Sequence, residues 1–149
     1  MKIYRAAIAG LGFIGAGDQV SGDKLGQKVV NLDGTHFSAY EKNARINLIS
    51  GSSRDSGRRS RFKDKCGARV YEDWQDMLLG EQIDIISVAT YTPYHEEIVL
   101  ASVEAGIKII YCEKPIASTL SGAKRMFDKC AAAGCSLVIN HQRRFNSNY

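Results

Sequence analysis

The sequence has no uninterrupted apolar run of about 18 residues, the length from which a membrane-spanning helix is built. It also has no internal repeat and no low-complexity tract. We therefore expect a globular protein with no membrane partner. Its 149 residues suit one domain, and the 44% hydrophobic and 24% charged residues are ordinary for a soluble fold.

Cysteines are few, and the net charge is small. The cysteines are Cys66, Cys112, Cys130 and Cys135, and no spacing among them is typical of a zinc site or a redox motif. We expect reduced thiols in a cytoplasmic protein, and no bound metal. The net charge of +4 slightly favours anionic ligands and indicates nothing more specific.

Short apolar segments alternate along the chain with segments of helical periodicity. This alternation predicts right-handed strand–helix–strand crossovers, and therefore a parallel sheet covered by helices on both faces. Six such strands fit the α/β, doubly wound dinucleotide-binding (Rossmann) fold, with strand order 3-2-1-4-5-6. The predicted strands are residues 3–9, 46–51, 68–71, 83–89, 107–111 and 136–140.

The last predicted helix begins after Ser118 or Thr119, either of which can cap it, and ends at Gly134. Helical spacing predicts a core-facing stripe made of Leu120, Ala123, Phe127 and Cys130.

Residues 16–34 interrupt the alternation, because they are polar and rich in glycine and aspartate. A plain strand–helix–strand unit has no room for them, so we interpret the segment as an insertion within or just after the first helix. It is either a surface loop, which we favour, or a flap over the cofactor or substrate.

A glycine motif follows the first predicted strand. Residues 10–15 have the pattern G-x-G-x-x-G, in which Gly10 permits a tight turn, Gly12 lets a pyrophosphate approach the backbone, and Gly15 allows close packing of helix on strand. With Phe13 and Ile14, these glycines are the candidate phosphate-binding residues. A secretory signal is the alternative for this apolar amino terminus, and the strand and phosphate-binding turn fit it better.

The second strand leads to the position whose side chain contacts the adenosine ribose and distinguishes NAD from NADP. An acidic residue there favours NAD, whereas a small polar residue followed by arginine accommodates the 2′-phosphate of NADP. Ser53 occupies this position, Arg54 follows it, and Arg58 lies one helical turn further on. Because guanidinium groups bind phosphates in bidentate fashion, we favour NADP over NAD, with Asp55 as an alternative ribose acceptor.

The same segment carries a basic run that invites comparison with nucleic-acid-binding proteins. It has no interleaved aromatic residues and occupies one short predicted helix, so we expect a solvated helix face and no nucleic-acid partner. The run comprises Arg54, Arg58, Arg59, Arg61, Lys63 and Lys65.

Together with further motifs, the glycine pattern resembles the glucose-fructose oxidoreductase/inositol dehydrogenase (Gfo/Idh/MocA) family of two-domain NAD(P)-dependent oxidoreductases. The motifs are Val88-Ala89-Thr90 with His95 after the fourth strand, Glu113-Lys114-Pro115 after the fifth, and Gln142-Arg143-Arg144-Phe145 after the sixth. The likeness covers nearly the whole chain, and the ordered set is more specific than any one motif.

The resemblance implies that Lys114 lies beside the nicotinamide and the substrate hydroxyl and assists proton transfer, and that a cis peptide precedes Pro115. Independently, a lysine at the carboxyl end of a parallel strand lies where ligands bind in open sheets. Thr90 and Tyr91 would border the ribose and nicotinamide, although the family's Thr-Pro turn is here displaced by two residues. His95 would either contact the ligand or serve capping and packing.

The resemblance further implies that residues 1–149 are the NAD(P)-binding domain, with Glu113 and Arg144 among the cofactor-binding residues and Arg144 near the cofactor's far edge or the domain junction. A second α/β domain, missing from this chain, would supply a catalytic Asp and His, most of the substrate pocket and the interface of a homo-oligomer. We expect an exposed apolar face where that domain would pack.

The function so predicted is hydride transfer between NAD(P) and a sugar, cyclitol or related polyhydroxylated substrate, with this chain alone inactive or nearly so. The alternative is a stand-alone NAD(P)-sensing module without catalysis, against which the E-K-P lysine argues. A methyltransferase of the same fold fits the glycine spacing and Lys114 less well.

Overall fold

The structure is a computed structural model that describes residues 2–19 and 34–141. The strands are β1 (Tyr4–Ala9), β2 (Ile46–Ser52), β3 (Arg69–Tyr71), β4 (Ile85–Val88), β5 (Ile109–Cys112) and β6 (Ser136–Ile139). The helices are α1 (Phe13–Ala16), α2 (His36–Glu41), α3 (Ser56–Cys66), α4 (Trp74–Gly80), α5 (His95–Glu104) and α6 (Leu120–Ala132), with a 3-10 turn at Thr92–Tyr94.

The strands form one parallel sheet in the order β3-β2-β1-β4-β5-β6, which confirms the predicted fold class. The central strand β1 is built from small residues, and Ala6–Ala9 are fully buried between β2 and β4. Because strand order reverses between β1 and β4, the crevice at their carboxyl ends is where such sheets bind ligands.

Each face of the sheet has its own apolar core. On one face, α4, α5 and α6 cover β4 and β5, with Met77, Ile98 and Met126 completely buried. On the other, Leu11 of the loop after β1, Phe37 of α2 and Phe62 of α3 pack on β1. Burying one such side chain stabilises a fold by roughly 1.5–3 kcal/mol, so these two clusters hold the helices against the sheet.

The predicted inner stripe of α6 is wrong at two positions. Leu120 is 88% exposed and Phe127 is 67% exposed, whereas Gly122, Met126 and Cys130 are buried. Gly122, Met126 and Cys130 recur every four residues and form the inner stripe, and Gly122 lies against the Glu96 carboxylate of α5.

Within residues 2–19 and 34–141, no helix is long and apolar enough to cross a membrane. All four cysteines are free thiols, and burial raises the pKa of Cys112 to about 12 and that of Cys130 to about 11. Most of the predicted insertion, residues 20–33, lies outside the described residues, as does Arg144.

Candidate functional site

The glycine motif forms a tight loop at the carboxyl end of β1. Gly10 has φ +100°, and a Cβ atom there would clash with the backbone of Ala89 just beyond β4. A Cβ atom on Gly15 would clash with the carbonyl oxygen of Gly10. The Gly10 N–H donates to the Ser52 carbonyl at 2.9 Å, so the loop is locked against both neighbouring strands.

The loop leads into α1, which is a single turn from Phe13 to Ala16 with Gly12 at its N-cap. The first N–H groups of a helix have no acceptor within the helix. Those of Phe13 and Ile14, both half-buried, are therefore suited to bind pyrophosphate oxygens.

An arginine lies against the loop. Arg58 Nη1 of α3 is 3.2 Å from the place where a Cβ atom of Gly12 would stand, and Arg58 Nε is 3.3 Å from Asp18 Oδ2. Arg61 binds the same carboxylate through two hydrogen bonds of 2.9 Å. The sequence predicted the arginine and missed Asp18, which partly neutralises the cationic group beside the glycines.

Arg54 takes a different position from Arg58. Its guanidinium stacks on the Tyr94 ring at 5.3 Å, joining the end of β2 to the turn after β4. The Ser53 hydroxyl accepts from the Asp55 N–H at 3.3 Å. Asp55 caps α3 by accepting from the Arg58 N–H at 2.9 Å, and this use of its carboxylate weakens the case for Asp55 as the ribose acceptor.

The residues after β4 divide into an exposed pair and a buried histidine. Tyr91 is 75% exposed and Thr90 is half-buried at the mouth of the crevice. His95 is 1% exposed, with Nε2 3.0 Å from the Thr90 carbonyl oxygen and Nδ1 3.0 Å from that of Pro115. Its contacts favour the packing role, in which one ring ties the turn after β4 to the turn after β5.

Lys114 follows β5 at the same edge of the sheet, and the peptide between it and Pro115 is cis, as the resemblance implied. Its side chain is exposed, whereas Glu113 is only 7% exposed. No carboxylate of the described segments lies within ion-pair distance of Lys114. The lysine is thus accessible to a ligand in the crevice.

A buried polar network lies directly behind Lys114, and the sequence analysis missed its central residue, His36. His36 Nε2 is 3.1 Å from Glu113 Oε1, and His36 Nδ1 is 2.8 Å from Ser87 Oγ. Asn140 Nδ2 donates to the same Glu113 oxygen at 2.5 Å, and the Tyr40 hydroxyl contacts Ser87 Oγ at 2.6 Å. Strands β4 and β5, helix α2 and the residue after β6 meet here.

The network keeps Glu113 ionised. Burial by itself would raise the pKa of Glu113, but hydrogen bonds from His36 and Asn140, together with the Lys114 N–H, outweigh burial and hold that pKa below its usual value. Burial raises the pKa of Tyr40 to about 12, so this hydroxyl remains a donor at neutral pH.

The lowered pKa makes Glu113 a source of acid sensitivity. A carboxyl group with a depressed pKa in the folded state stabilises the fold above its unfolded pKa, and that contribution disappears as pH falls through the folded pKa. We expect Glu113→Gln to be about 1–3 kcal/mol less stable than the wild type at pH 7, because charged hydrogen bonds are lost. The gap should shrink as the pH falls below about 4.5.

Urea unfolding at several pH values between 7 and 3 measures this gap. The exposed Glu97 provides a matched control, since Glu97→Gln should follow the wild type at every pH. A gap for Glu113→Gln that is the same at pH 3 as at pH 7 would contradict the assignment of a buried carboxylate.

Comparison with known proteins shows the family to which this chain belongs. The model of the oxidoreductase family with an NAD-binding Rossmann fold matches residues 4–141. The inositol 2-dehydrogenase/D-chiro-inositol 3-dehydrogenase of Shouchella clausii (strain KSM-K16) is 34% identical over 107 residues, which are 71% of this chain and 31% of that protein. The chain therefore spans about a third of that relative's length.

Two solved structures share the fold. Scyllo-inositol dehydrogenase from Lactobacillus casei, with bound NAD(H) and scyllo-inositol, has a TM-score of 0.82 and 20% identity, covering 99% of this chain and 39% of that one. The WlbA dehydrogenase from Bordetella pertussis, in complex with NADH and UDP-GlcNAcA, has a TM-score of 0.81 and 23% identity, covering 98% and 39%. The matches span residues on both sides of the glycine loop and the E-K-P turn.

Proposed function

Because the chain belongs to the oxidoreductase family with an NAD-binding Rossmann fold, we propose that it is the dinucleotide-binding part of an enzyme that oxidises or reduces a polyhydroxylated substrate. The observation that carries this proposal is the exposed Lys114 at the same sheet edge as the glycine loop. A module that only sensed the cofactor would have no use for an accessible amine at this position.

The site's residues fit a bound nicotinamide dinucleotide. The backbone at Gly10, Gly12 and Gly15 gives the pyrophosphate a close approach that side chains would block. The Phe13 and Ile14 N–H groups would donate to its oxygens. When bound, the cofactor would supply the hydride acceptor or donor, and the protein's task is to place and polarise the reacting groups.

Lys114 would handle the proton that accompanies hydride transfer. In the oxidative direction its amine would take the proton of the substrate hydroxyl, and in the reductive direction its ammonium would return a proton to the carbonyl oxygen. Thr90 and Tyr91 would border the nicotinamide side of the crevice. His95 would support them from behind, while Arg144 is proposed near the cofactor's edge or a domain junction.

The substrate class rests on the relatives. The curated relatives include inositol 2-dehydrogenases and a D-apiose dehydrogenase, whose names denote a polyol and a sugar. We propose a sugar, cyclitol or related polyol, bound mainly by a second domain that would also carry a homo-oligomer interface. The free thiols fit a reducing cytoplasm.

A nucleic-acid partner is disfavoured by the ion pairs of α3. Asp18 binds Arg58 and Arg61, and Arg59 pairs with Glu72 at 3.3 Å, so the basic face of this helix is substantially neutralised. We propose no nucleic-acid and no membrane partner.

A parallel titration with NADH and NADPH, followed by nicotinamide fluorescence, tests the dinucleotide site. We expect saturable binding of at least one of them. Absence of binding by both, in a chain shown to be folded, would refute the proposed function.

The preference for NADP is the finer part of the proposal. Arg54 has no carboxylate partner among the described residues and stands at the end of β2, so its guanidinium is available to a 2′-phosphate. We expect Arg54→Ala to weaken NADPH binding about 10- to 100-fold, with a smaller change for NADH. The same titration measures both constants.

Lys63→Ala controls for the loss of one positive charge, since Lys63 is exposed on α3, the helix that follows Arg54, and its replacement is expected to leave both affinities unchanged. If Arg54→Ala weakened NADH and NADPH equally, the arginine would be supporting adenosine through Tyr94 instead of binding the 2′-phosphate.

A further inference from the structure

The network behind Lys114 has no part in the function proposed so far, although it is the largest group of buried polar side chains that the described residues contain. His36, Ser87 and Asn140 are each at most 5% exposed, and none of them can reach a ligand in the crevice. Burying so many polar groups is costly unless every donor finds an acceptor.

One arrangement of protons satisfies the whole network. Glu113 is a carboxylate, so His36 Nε2 carries the proton and donates to Oε1. His36 Nδ1 then accepts from the Ser87 hydroxyl, whose oxygen in turn accepts from the Tyr40 hydroxyl. In this arrangement the Nε2–H of His36 is directed at Glu113.

The other oxygen of Glu113 connects the network to the E-K-P turn. Glu113 Oε2 accepts from the backbone N–H of Lys114 at 3.3 Å, and Oε1 is shared by His36 and Asn140. Buried side chains therefore hold Oε1 of the carboxylate, while Oε2 holds the backbone N–H of Lys114. If the His36 donor is removed, the Glu113 carboxylate loses one of the two hydrogen bonds to Oε1 and holds the Lys114 N–H less firmly.

We propose that His36 is a positioning residue, which acts through Glu113 to hold the Lys114 peptide, and thereby the amine, in the geometry that the nicotinamide end of the cofactor requires. This inference rests on the proposed function. It assigns a role to α2, a helix far in sequence from the E-K-P turn: His36 and Glu113 are 77 positions apart.

Two conservative substitutions separate the bonds that His36 makes. His36→Gln places an amide nitrogen near the position of Nε2, so it keeps a donor for Glu113. His36→Asn places its amide near Nδ1, so it keeps a partner for Ser87 and leaves Glu113 without the donor. Both remove the ring and its edge-on contact with Tyr111, whose centroid lies 5.1 Å away, so both lose this aromatic contact.

Binding of NADH and of ADP-ribose to the full chain gives a readout that a merely structural role would not change. ADP-ribose lacks the nicotinamide, so a general loss of stability weakens both ligands alike. We expect the ratio of the Kd for NADH to the Kd for ADP-ribose to rise about ten-fold in His36→Asn. It should change less than about two-fold in His36→Gln. Nitrogen NMR of the unaltered chain should place the imidazole proton on Nε2.

Every other outcome contradicts either this inference or the proposed function. An unchanged ratio in both variants, or an equal rise in both, overturns the positioning role, as does an imidazole proton on Nδ1. Failure of the unaltered chain to bind NADH or ADP-ribose overturns the proposed function, and this inference with it. Binding of the unaltered chain followed by an unchanged ratio overturns this inference alone.

Discussion

Replacing Gly15 by alanine is expected to abolish measurable dinucleotide binding, raising the Kd for NADH by roughly 100-fold or more. A Cβ atom at this position would clash with the Gly10 carbonyl oxygen, so the loop and α1 must move apart. Overpacking of this kind costs about 1–3 kcal/mol of folding stability. Nicotinamide fluorescence titration measures the first effect, and urea unfolding the second.

Gly67→Ala is the matched control. Gly67 ends α3 with φ +71° and has no atom within 4 Å of the place a Cβ would occupy, so alanine there is strained without a clash. It should lose about 1–2 kcal/mol of stability through the left-handed backbone alone and bind NADH normally. If Gly15→Ala bound as tightly as Gly67→Ala, the glycine loop would not be the pyrophosphate site.

The largest effect on catalysis is expected at Lys114. In a longer protein that carries the proposed substrate domain, Lys114→Met should lower kcat by about 10²- to 10⁴-fold, the usual contribution of a general acid or base. NADH affinity should fall by about ten-fold at most, the share expected from the nicotinamide end, because the glycine loop and Arg54 are untouched. Steady-state kinetics with a polyol, paired with NADH titration, separates the two quantities.

Lys108→Met controls for the removal of a lysine from the same strand region. Lys108 precedes β5 at the opposite edge of the sheet, where its amine donates to the Ala133 carbonyl at 2.8 Å. It should leave kcat unchanged. A Lys114→Met enzyme with nearly normal kcat would remove this residue from the proton transfer, and would turn attention to groups of the substrate domain.

The architecture was predictable because its signals are local. Apolar runs such as 83–89 and 107–111 coincide with β4 and most of β5, and the strand order is that of the dinucleotide-binding fold, which six strands in this rhythm fit. The glycine spacing, which demands a fixed backbone path, likewise predicted the loop beside Ala89. These features depend on neighbours within a few residues and on chain chirality, so one sequence suffices to predict them.

The misses all depend on contacts between distant segments. Leu120 and Phe127 had the right spacing for an inner stripe, but the packing of α6 on its neighbours buries Gly122, Met126 and Cys130 instead. His36 was missed because the polar insertion separates it from the glycine motif. Its one local signal was the capping box of Thr35 and Ser38, which marks the start of a helix and places His36 in its first turn.

The network around Glu113 also determines when its hydrogen bonds can form during synthesis of the chain. A chain emerges from the ribosome with its amino end first. The partners of Glu113 come from α2 and from Asn140, which follows β6. Once β5 has been synthesised, five strands can assemble while Glu113 still lacks its hydrogen bond from Asn140. Glu113 therefore gains its Asn140 donor only after both strands beside the glycine loop, β2 and β4, have been synthesised.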